Sequence, residues 1–115
     1  MLNIQVRQVG DASVLSVKGK VNFETAPQLK DAIKDIKDGI SEQHQRILLI
    51  NLEGVSFVDS SGLGLLVAAR NLLEKSGGRL YLCCIAPQVK KVFDQTNLTN
   101  FFSIFESEQD ALNSA

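Results

Sequence analysis

The sequence predicts a single α/β domain over residues 1–115, with a mixed β-sheet of four to five strands, an N-terminal hairpin and about four helices. Three observations predict this fold class. Apolar residues alternate around an early turn signal, an apolar stripe with helical spacing follows, and two uninterrupted apolar runs then flank a second helical segment. Strands joined through a helix pair in parallel, so the hairpin and the later strands together make the sheet mixed.

The N-terminal hairpin is predicted from alternating residues at 2–9 and 13–18, with a turn at Gly10 between them. The period changes near Thr25, where apolar side chains begin to recur every three or four residues and charged side chains occupy the other positions. This pattern predicts an amphipathic helix whose apolar stripe consists of Ala26, Leu29, Ile33, Ile36 and Ile40.

The next elements form a β-α-β unit. Residues 47–52 are an apolar run without alternation, which is typical of a strand covered on both faces, so we expect this strand at the centre of the sheet. A bend at residues 53–54 and the extended segment 55–58 follow it. A helix is predicted over 61–76 and a second buried strand over 80–85, parallel to the first.

The C-terminal third predicts a short helix, an edge strand and a last helical turn. The short helix opens at Pro87 and stops at Asn97, with Val89, Val92 and Phe93 facing inward. Residues 101–105 are predicted as the edge strand and residues 108–112 as the helical turn.

Composition argues against several classes of protein. Twelve Lys and Arg against thirteen Asp and Glu give a net charge of −1, which supplies no basic footprint for nucleic acid or for an anionic membrane. No apolar run approaches the roughly 20 residues that span a bilayer, and the first ten residues lack the layout of a signal peptide. We therefore expect a cytoplasmic protein that binds neither DNA nor membrane.

The residues that most often bind metals or act as bases are sparse. Cys83 and Cys84 are adjacent in a predicted buried strand, so we interpret them as core residues whose side chains point to opposite faces. His44 is the sole histidine and lies in a polar stretch, which favours an exposed loop residue. The sequence thus predicts no metal site and no cofactor.

The segment 58–65, Val-Asp-Ser-Ser-Gly-Leu-Gly-Leu, is the candidate functional site, because a strand ends and a helix begins there. Unpaired N–H groups and the helix dipole favour negative charge at such a point, and a simple N-cap would use Asp59 in this way. Gly62 and Gly64 both fall in the first turn, where each costs helix stability, so the pattern suggests close approach of another surface. No histidine or lysine accompanies Ser60, which therefore lacks a base that would make it a nucleophile. Such a serine is better suited to being modified.

These residues also resemble a known family. The stretch from Asn51 to Leu98, with the motif Asp-Ser-Ser-Gly-Leu-Gly at 59–64, is similar to the STAS domain of bacterial anti-sigma-factor antagonists. The resemblance covers nearly the whole chain, including the turn at residues 19–22. It differs at Asn22, where the family often has Asp.

The resemblance implies partner switching. In its unphosphorylated form, such a protein binds an anti-sigma factor that is a serine kinase of the histidine-kinase-like ATPase fold, and so frees the sigma factor. Phosphorylation of the serine after the Asp, here Ser60, ends that binding, and a PP2C-type phosphatase restores it. The partner-binding residues implied are Asn22, Asp59, Ser61, Gly62, Leu63 and Gly64.

Two other classes stay open. One is a STAS module of another regulatory or transport assembly, in which Ser60 is a contact and is not a phosphorylation switch. The other is a small enzyme that uses Ser60 or Asp59, with the loop at residues 22–24 supplying polar groups. The sequence shows no acid–base pair for the enzyme, so we expect a binding protein.

Overall fold

The computed structural model describes residues 2–39 and 47–114, which form five strands and four helices. The predictions for Ile40 and His44 fall outside the described residues. The strands are β1 (Asn3–Val9), β2 (Ala12–Val21), β3 (Ile47–Val58), β4 (Arg79–Cys83) and β5 (Ser103–Phe105). The helices are α1 (Ala26–Gly39), α2 (Ser60–Lys75), α3 (Pro87–Gln95) and α4 (Glu108–Asn113).

The strands form one mixed sheet in the order β1-β2-β3-β4-β5. β1 and β2 pair antiparallel as a hairpin, and each later pair of neighbours is parallel, with α1, α2 or α3 between the two strands in the chain. The predicted fold class is confirmed. β3 is the central strand, as its unbroken apolar run predicts.

The two faces of the sheet are covered unequally. One face carries the main core, to which α1, α2 and α3 contribute their apolar stripes through Leu29, Ile33, Leu63, Leu66, Ala69, Leu73, Val89 and Phe93. The opposite face carries a smaller core, in which Ala111 of α4 packs with Val14, Leu49, Tyr81 and Cys83. None of the described helices is both long enough and apolar enough to span a membrane.

α4 is held on its face of the sheet by a polar cluster as well as by Ala111. Both carboxylate oxygens of Glu108 accept hydrogen bonds from Nη2 of Arg7, at 2.8 and 2.7 Å. Oε2 also accepts one from Nδ2 of Asn51 at 2.6 Å. The hydrogen bonds from Arg7 and Asn51 hold the pKa of Glu108 below its usual value.

The predicted bend at residues 53–54 is wrong, because β3 continues unbroken from Ile47 to Val58. The register between β2 and β3 shifts twice. Along β2, the first shift falls between Ser16 and Lys18 and the second between Gly19 and Lys20. At each shift β3 contains one more residue than β2. These extra residues form β-bulges, and the strand continues past them.

β4 also differs from its prediction, since it ends at Cys83 instead of residue 85. Cys84 adopts a φ of 63°, in the left-handed region, and this conformation ends the strand. The interpretation that the two cysteines point to opposite faces is therefore wrong. Both pack in the smaller core, Cys83 buried and Cys84 half-buried.

The cluster at Glu108 makes stability depend on pH. Because the pKa of Glu108 is lower in the folded state, its carboxylate stabilises the folded protein at every pH above the unfolded pKa, near 4.5. This contribution is lost as the pH falls through the folded pKa. We expect Glu108→Gln to lower the free energy of unfolding by about 1 kcal/mol at neutral pH. Urea denaturation should show this difference shrinking as the pH falls below about 4.

The matched control is Glu106→Gln, which removes the same charge from an exposed side chain that has no ion pair among the described residues. A difference for Glu108→Gln that stayed constant down to the lowest pH would contradict the role of the Arg7 pair.

Candidate functional site

Asp59 joins the two loops that form the site. Its Oδ1 accepts a hydrogen bond from the Gly62 N–H at 3.0 Å, which caps α2. Its Oδ2 accepts one from the Phe23 N–H at 3.1 Å, in the turn between β2 and α1. The Asp59 N–H in turn donates to the Val21 carbonyl at 3.1 Å. One side chain thus fixes where α2 begins relative to the preceding turn.

The turn before α1 is built around Asn22. Its Oδ1 accepts hydrogen bonds from the N–H groups of Glu24 and Thr25, at 3.0 and 3.1 Å. The Thr25 hydroxyl donates to the Lys20 carbonyl at 2.6 Å and accepts from the Asn22 N–H at 3.0 Å. An amide oxygen can make these acceptor contacts as a carboxylate can, which explains how Asn fits here without disturbing the turn.

Ser60 is the first residue of α2 and is exposed. Within residues 2–39 and 47–114, its hydroxyl has no hydrogen-bond partner. It lies where the helix dipole is positive and where first-turn N–H groups face outward. Ser61 follows and is half-buried. The position allows an incoming group to reach the Ser60 hydroxyl without rearrangement of the helix.

Gly62 and Leu63 are buried and shape the site from below. A Cβ at Gly62 would lie 2.7 Å from Cγ1 of Val21 and 2.9 Å from Cγ1 of Val58, closer than real Cβ atoms approach other atoms. The first turn of α2 packs this tightly on the ends of β2 and β3 because residue 62 has no side chain. Leu63 belongs to the main core and is 5% exposed.

Gly64 differs from Gly62. It is exposed, and a Cβ at this position would meet nothing within 4 Å. The internal packing of the described residues therefore gives no reason for a glycine here, although glycine lowers helix stability by up to about 1 kcal/mol relative to alanine. The absence of a side chain at Gly64 leaves open space on the surface one turn after Ser60.

Phe23 also belongs to this surface, although the sequence motif does not include it. Its side chain is 78% exposed while its N–H is held by Asp59, so an apolar ring stands on the surface beside the start of α2. The signal was a phenylalanine in a polar turn, outside the apolar stripe of the helix that follows. Aromatic side chains are enriched in protein interfaces, so Phe23 is a candidate contact for a partner.

The chemistry of the site is limited. Over the described parts of the chain, no group of three or more His, Cys, Asp or Glu residues could hold a metal ion. The Asp59 oxygens accept hydrogen bonds from backbone N–H groups, and neither contacts the Ser60 hydroxyl. The arrangement suits recognition and modification of Ser60 better than catalysis by it.

A match to a family model agrees with this geometry. The model of the STAS domain matches residues 3–111. The chain therefore belongs to the STAS domain family. Its five-stranded mixed sheet with four helices is the STAS fold, within the residues that the structure describes.

Similar proteins within the family carry a common description. An anti-sigma-B factor antagonist of Staphylococcus epidermidis is 28% identical over 109 residues, which are 94% of this chain and 96% of that protein. The crystal structure of an anti-sigma factor antagonist from Mycobacterium paratuberculosis matches with a TM-score of 0.86 at 28% identity, covering 99% and 93% of the two chains.

A third similar protein has been solved in two states. The anti-sigma factor antagonist SpoIIAA in its unphosphorylated form matches with a TM-score of 0.78 at 26% identity, covering 97% of this chain and 95% of that one. The Bacillus cell fate determinant SpoIIAA in its phosphorylated form matches with a TM-score of 0.71 at 25% identity, covering 97% of this chain and 98% of that one.

The contrast between the two glycines is open to measurement. Gly62→Ala should lower the free energy of unfolding by about 1–3 kcal/mol, because the added methyl group forces the valines or the helix to move. Gly64→Ala is the matched control and should leave stability unchanged or raise it by up to about 1 kcal/mol. Urea denaturation of both variants checks this, and equal destabilisation by the two would disprove the assignment.

Proposed function

We propose that the protein is an anti-sigma factor antagonist that acts by partner switching, with Ser60 as the phosphorylated residue. The observation that carries the proposal is the exposed Ser60 at the first position of α2, beside the exposed ring of Phe23. The names of the similar proteins support it, since all three are called anti-sigma factor antagonists and one occurs in a phosphorylated form.

In this proposal the unphosphorylated protein binds an anti-sigma factor and so releases a sigma factor. The anti-sigma factor is a serine kinase of the histidine-kinase-like ATPase fold, which phosphorylates Ser60, and a PP2C-type phosphatase removes the phosphate. The cycle takes place in the cytoplasm and requires no catalysis, cofactor, membrane or nucleic acid contact by this chain itself.

The partner surface follows from the burial of the site residues. Gly64 is exposed with open space around it, whereas Ser61 and Asn22 are half-buried and reach the surface only in part. Asp59 acts by fixing the two loops. Gly62 and Leu63 are buried, and they act by packing the first turn of α2 against the sheet.

The phosphate acts through charge. It adds about −1.5 to −2 charges at neutral pH, and the start of α2 can tolerate them through its dipole and N–H groups. A partner pressed against Ser60 must instead desolvate that charge next to Asp59. Reversing occupancy from 1:99 to 99:1 takes about 5.5 kcal/mol of differential affinity. Repulsion and lost packing over roughly 800 Å² per partner are large enough to supply it.

Ser60 variants test the switch directly. A pull-down from the native host should retain a histidine-kinase-like ATPase on Ser60→Ala and lose it on Ser60→Asp. In titration calorimetry with the purified ATPase, we expect Ser60→Asp to bind at least about 100-fold more weakly than Ser60→Ala, close to 3 kcal/mol. Incubation with ATP should place phosphate on the wild-type protein and none on Ser60→Ala, as read by mass spectrometry.

Ser103→Asp is the matched control, because it adds the same charge to an exposed residue of the edge strand β5 and should bind like the wild-type protein. Equal binding by Ser60→Ala and Ser60→Asp would sink the switch. The protein would then be a STAS module of another assembly in which Ser60 is only a contact.

Phe23 supplies a second test of the same surface. We expect Phe23→Ala to weaken binding of the ATPase by roughly tenfold or more, since buried aromatic side chains dominate interface energies. Stability should stay within about 0.5 kcal/mol of wild type, because the ring is already exposed. Leu72→Ala, which removes another exposed apolar side chain three turns along α2, is the control and should bind normally. Equal affinities for the two variants would remove Phe23 from the interface.

A further inference from the structure

Two thiols lie side by side at the end of β4, on elements that the proposed function does not use. Sγ of Cys84 is 3.1 Å from Sγ of Cys83. Both residues pack in the smaller core on the face of the sheet that α4 covers. They are the only cysteines in the sequence, and both are free thiols. An intramolecular reaction between thiols is thus confined to this pair.

The approach of the two sulfur atoms follows from a strained backbone. Cys84 has a φ of 63°, which side chains other than glycine, asparagine and aspartate rarely adopt. In this conformation the Cys84 N–H donates a hydrogen bond to the Phe105 carbonyl at 3.1 Å, which joins the end of β4 to the end of β5. Strain of this kind persists where surrounding structure holds it, and it clusters at functional sites. Here its effect is to turn the Cys84 thiol back toward Cys83.

The two thiols differ in access. Cys83 is fully buried, whereas Cys84 is half-buried and lines a groove of about 600 Å³. Polar side chains, among them Lys90, Thr99 and Glu106, form part of the groove wall. A small polar oxidant can therefore reach Cys84 from the groove, whereas Cys83 is buried and does not line it.

We propose that Cys83 and Cys84 are a modification site for hydrogen peroxide, at which the two thiols close to a vicinal disulfide. In the first step, Sγ of Cys84 attacks one peroxide oxygen, the O–O bond breaks, and a sulfenic acid and one water form. In the second step, Sγ of Cys83 attacks Sγ of Cys84 and the S–O bond breaks. The Cys83 proton leaves with the hydroxide as a second water. The two thiols lose two electrons in total, and one peroxide accepts them.

The surroundings of Cys83 set the rate and the reversibility of closure. Burial, assisted by the hydrogen bond with Cys84, raises the pKa of the Cys83 thiol, so the second step is slow at neutral pH and accelerates as the pH rises. Adjacent Cα atoms are about 3.8 Å apart, whereas ordinary disulfides join Cα atoms about 4.4–6.8 Å apart. The ring is therefore strained and easily reduced, as reversible disulfides are.

The experiment treats the purified full chain with hydrogen peroxide and follows it by intact mass and by the tryptic peptide 80–90, which contains both cysteines. The wild-type protein should lose the mass of two hydrogens, faster at higher pH, and dithiothreitol should restore it. Cys83→Ser should instead hold a sulfenic acid at Cys84 that dimedone traps. Cys84→Ser should lose the reaction, because Cys83 is shielded from the groove.

Three results would overturn the proposal. The wild-type protein could gain oxygen without losing hydrogens, or it could form disulfides only between two copies of the chain. The Cys84→Ser variant could react as fast as the wild-type protein. Circular dichroism establishes that each variant is folded. Should either variant fail to fold, the mass change and pH dependence of the wild-type protein alone decide the question.

Discussion

The geometry of the site depends on the two hydrogen bonds that the carboxylate of Asp59 accepts. One oxygen takes the N–H of Gly62 and the other takes the N–H of Phe23, which lies 36 positions earlier in the chain. A carboxylate suits this role because both of its oxygens accept, whereas asparagine would turn an NH₂ group toward one of the two donors. Its charge also lies at the positive end of α2. This side chain determines where α2 begins, and it thereby positions Ser60 and the Phe23 backbone on the surface.

The two glycines of the first turn of α2 serve different purposes. Gly62 lets the helix approach Val21 and Val58, so it determines how deep the helix sits on the sheet. Gly64 has open space around it, so it lowers helix stability without improving any packing within the described part of the chain. A residue that weakens its own helix without improving local packing supports the proposal that a partner approaches this surface. The distinction links the backbone chemistry of one turn to the proposed binding function.

Most of the fold could be predicted because it rests on short-range patterns. The stripe of α1 and the apolar run of β3 report burial directly, and the order of elements then determines the parallel pairing. The alternation in β1 predicts the hairpin, although β1 itself has no buried residue. The site motif was found for the same reason, since Asp59 to Gly64 are contiguous. The rest depends on contacts between distant segments. The bulges that carry β3 through residues 53–54 are set by β2, and the left-handed turn at Cys84 is held by Phe105. The local sequence shows Phe23 outside the apolar stripe of α1, but its position beside the start of α2 depends on the hydrogen bond from its N–H to Asp59.

The sheet separates Ser60 from the thiol pair. Cys83 pairs with Asn51 of β3, and β3 then continues seven residues to Val58 before α2 begins, a length of roughly 23 Å. Over that second half, β3 pairs with β2 and no longer with β4. The start of α2 is therefore attached to the hairpin side of the sheet, whereas the thiols are attached to β5 and α4. A charge added at Ser60 acts on whatever touches that end of the molecule. A ring closed at Cys84 acts on the packing beneath α4. The two proposed modifications therefore lie on different parts of the sheet, one beside β2 and the other beside β5 and α4.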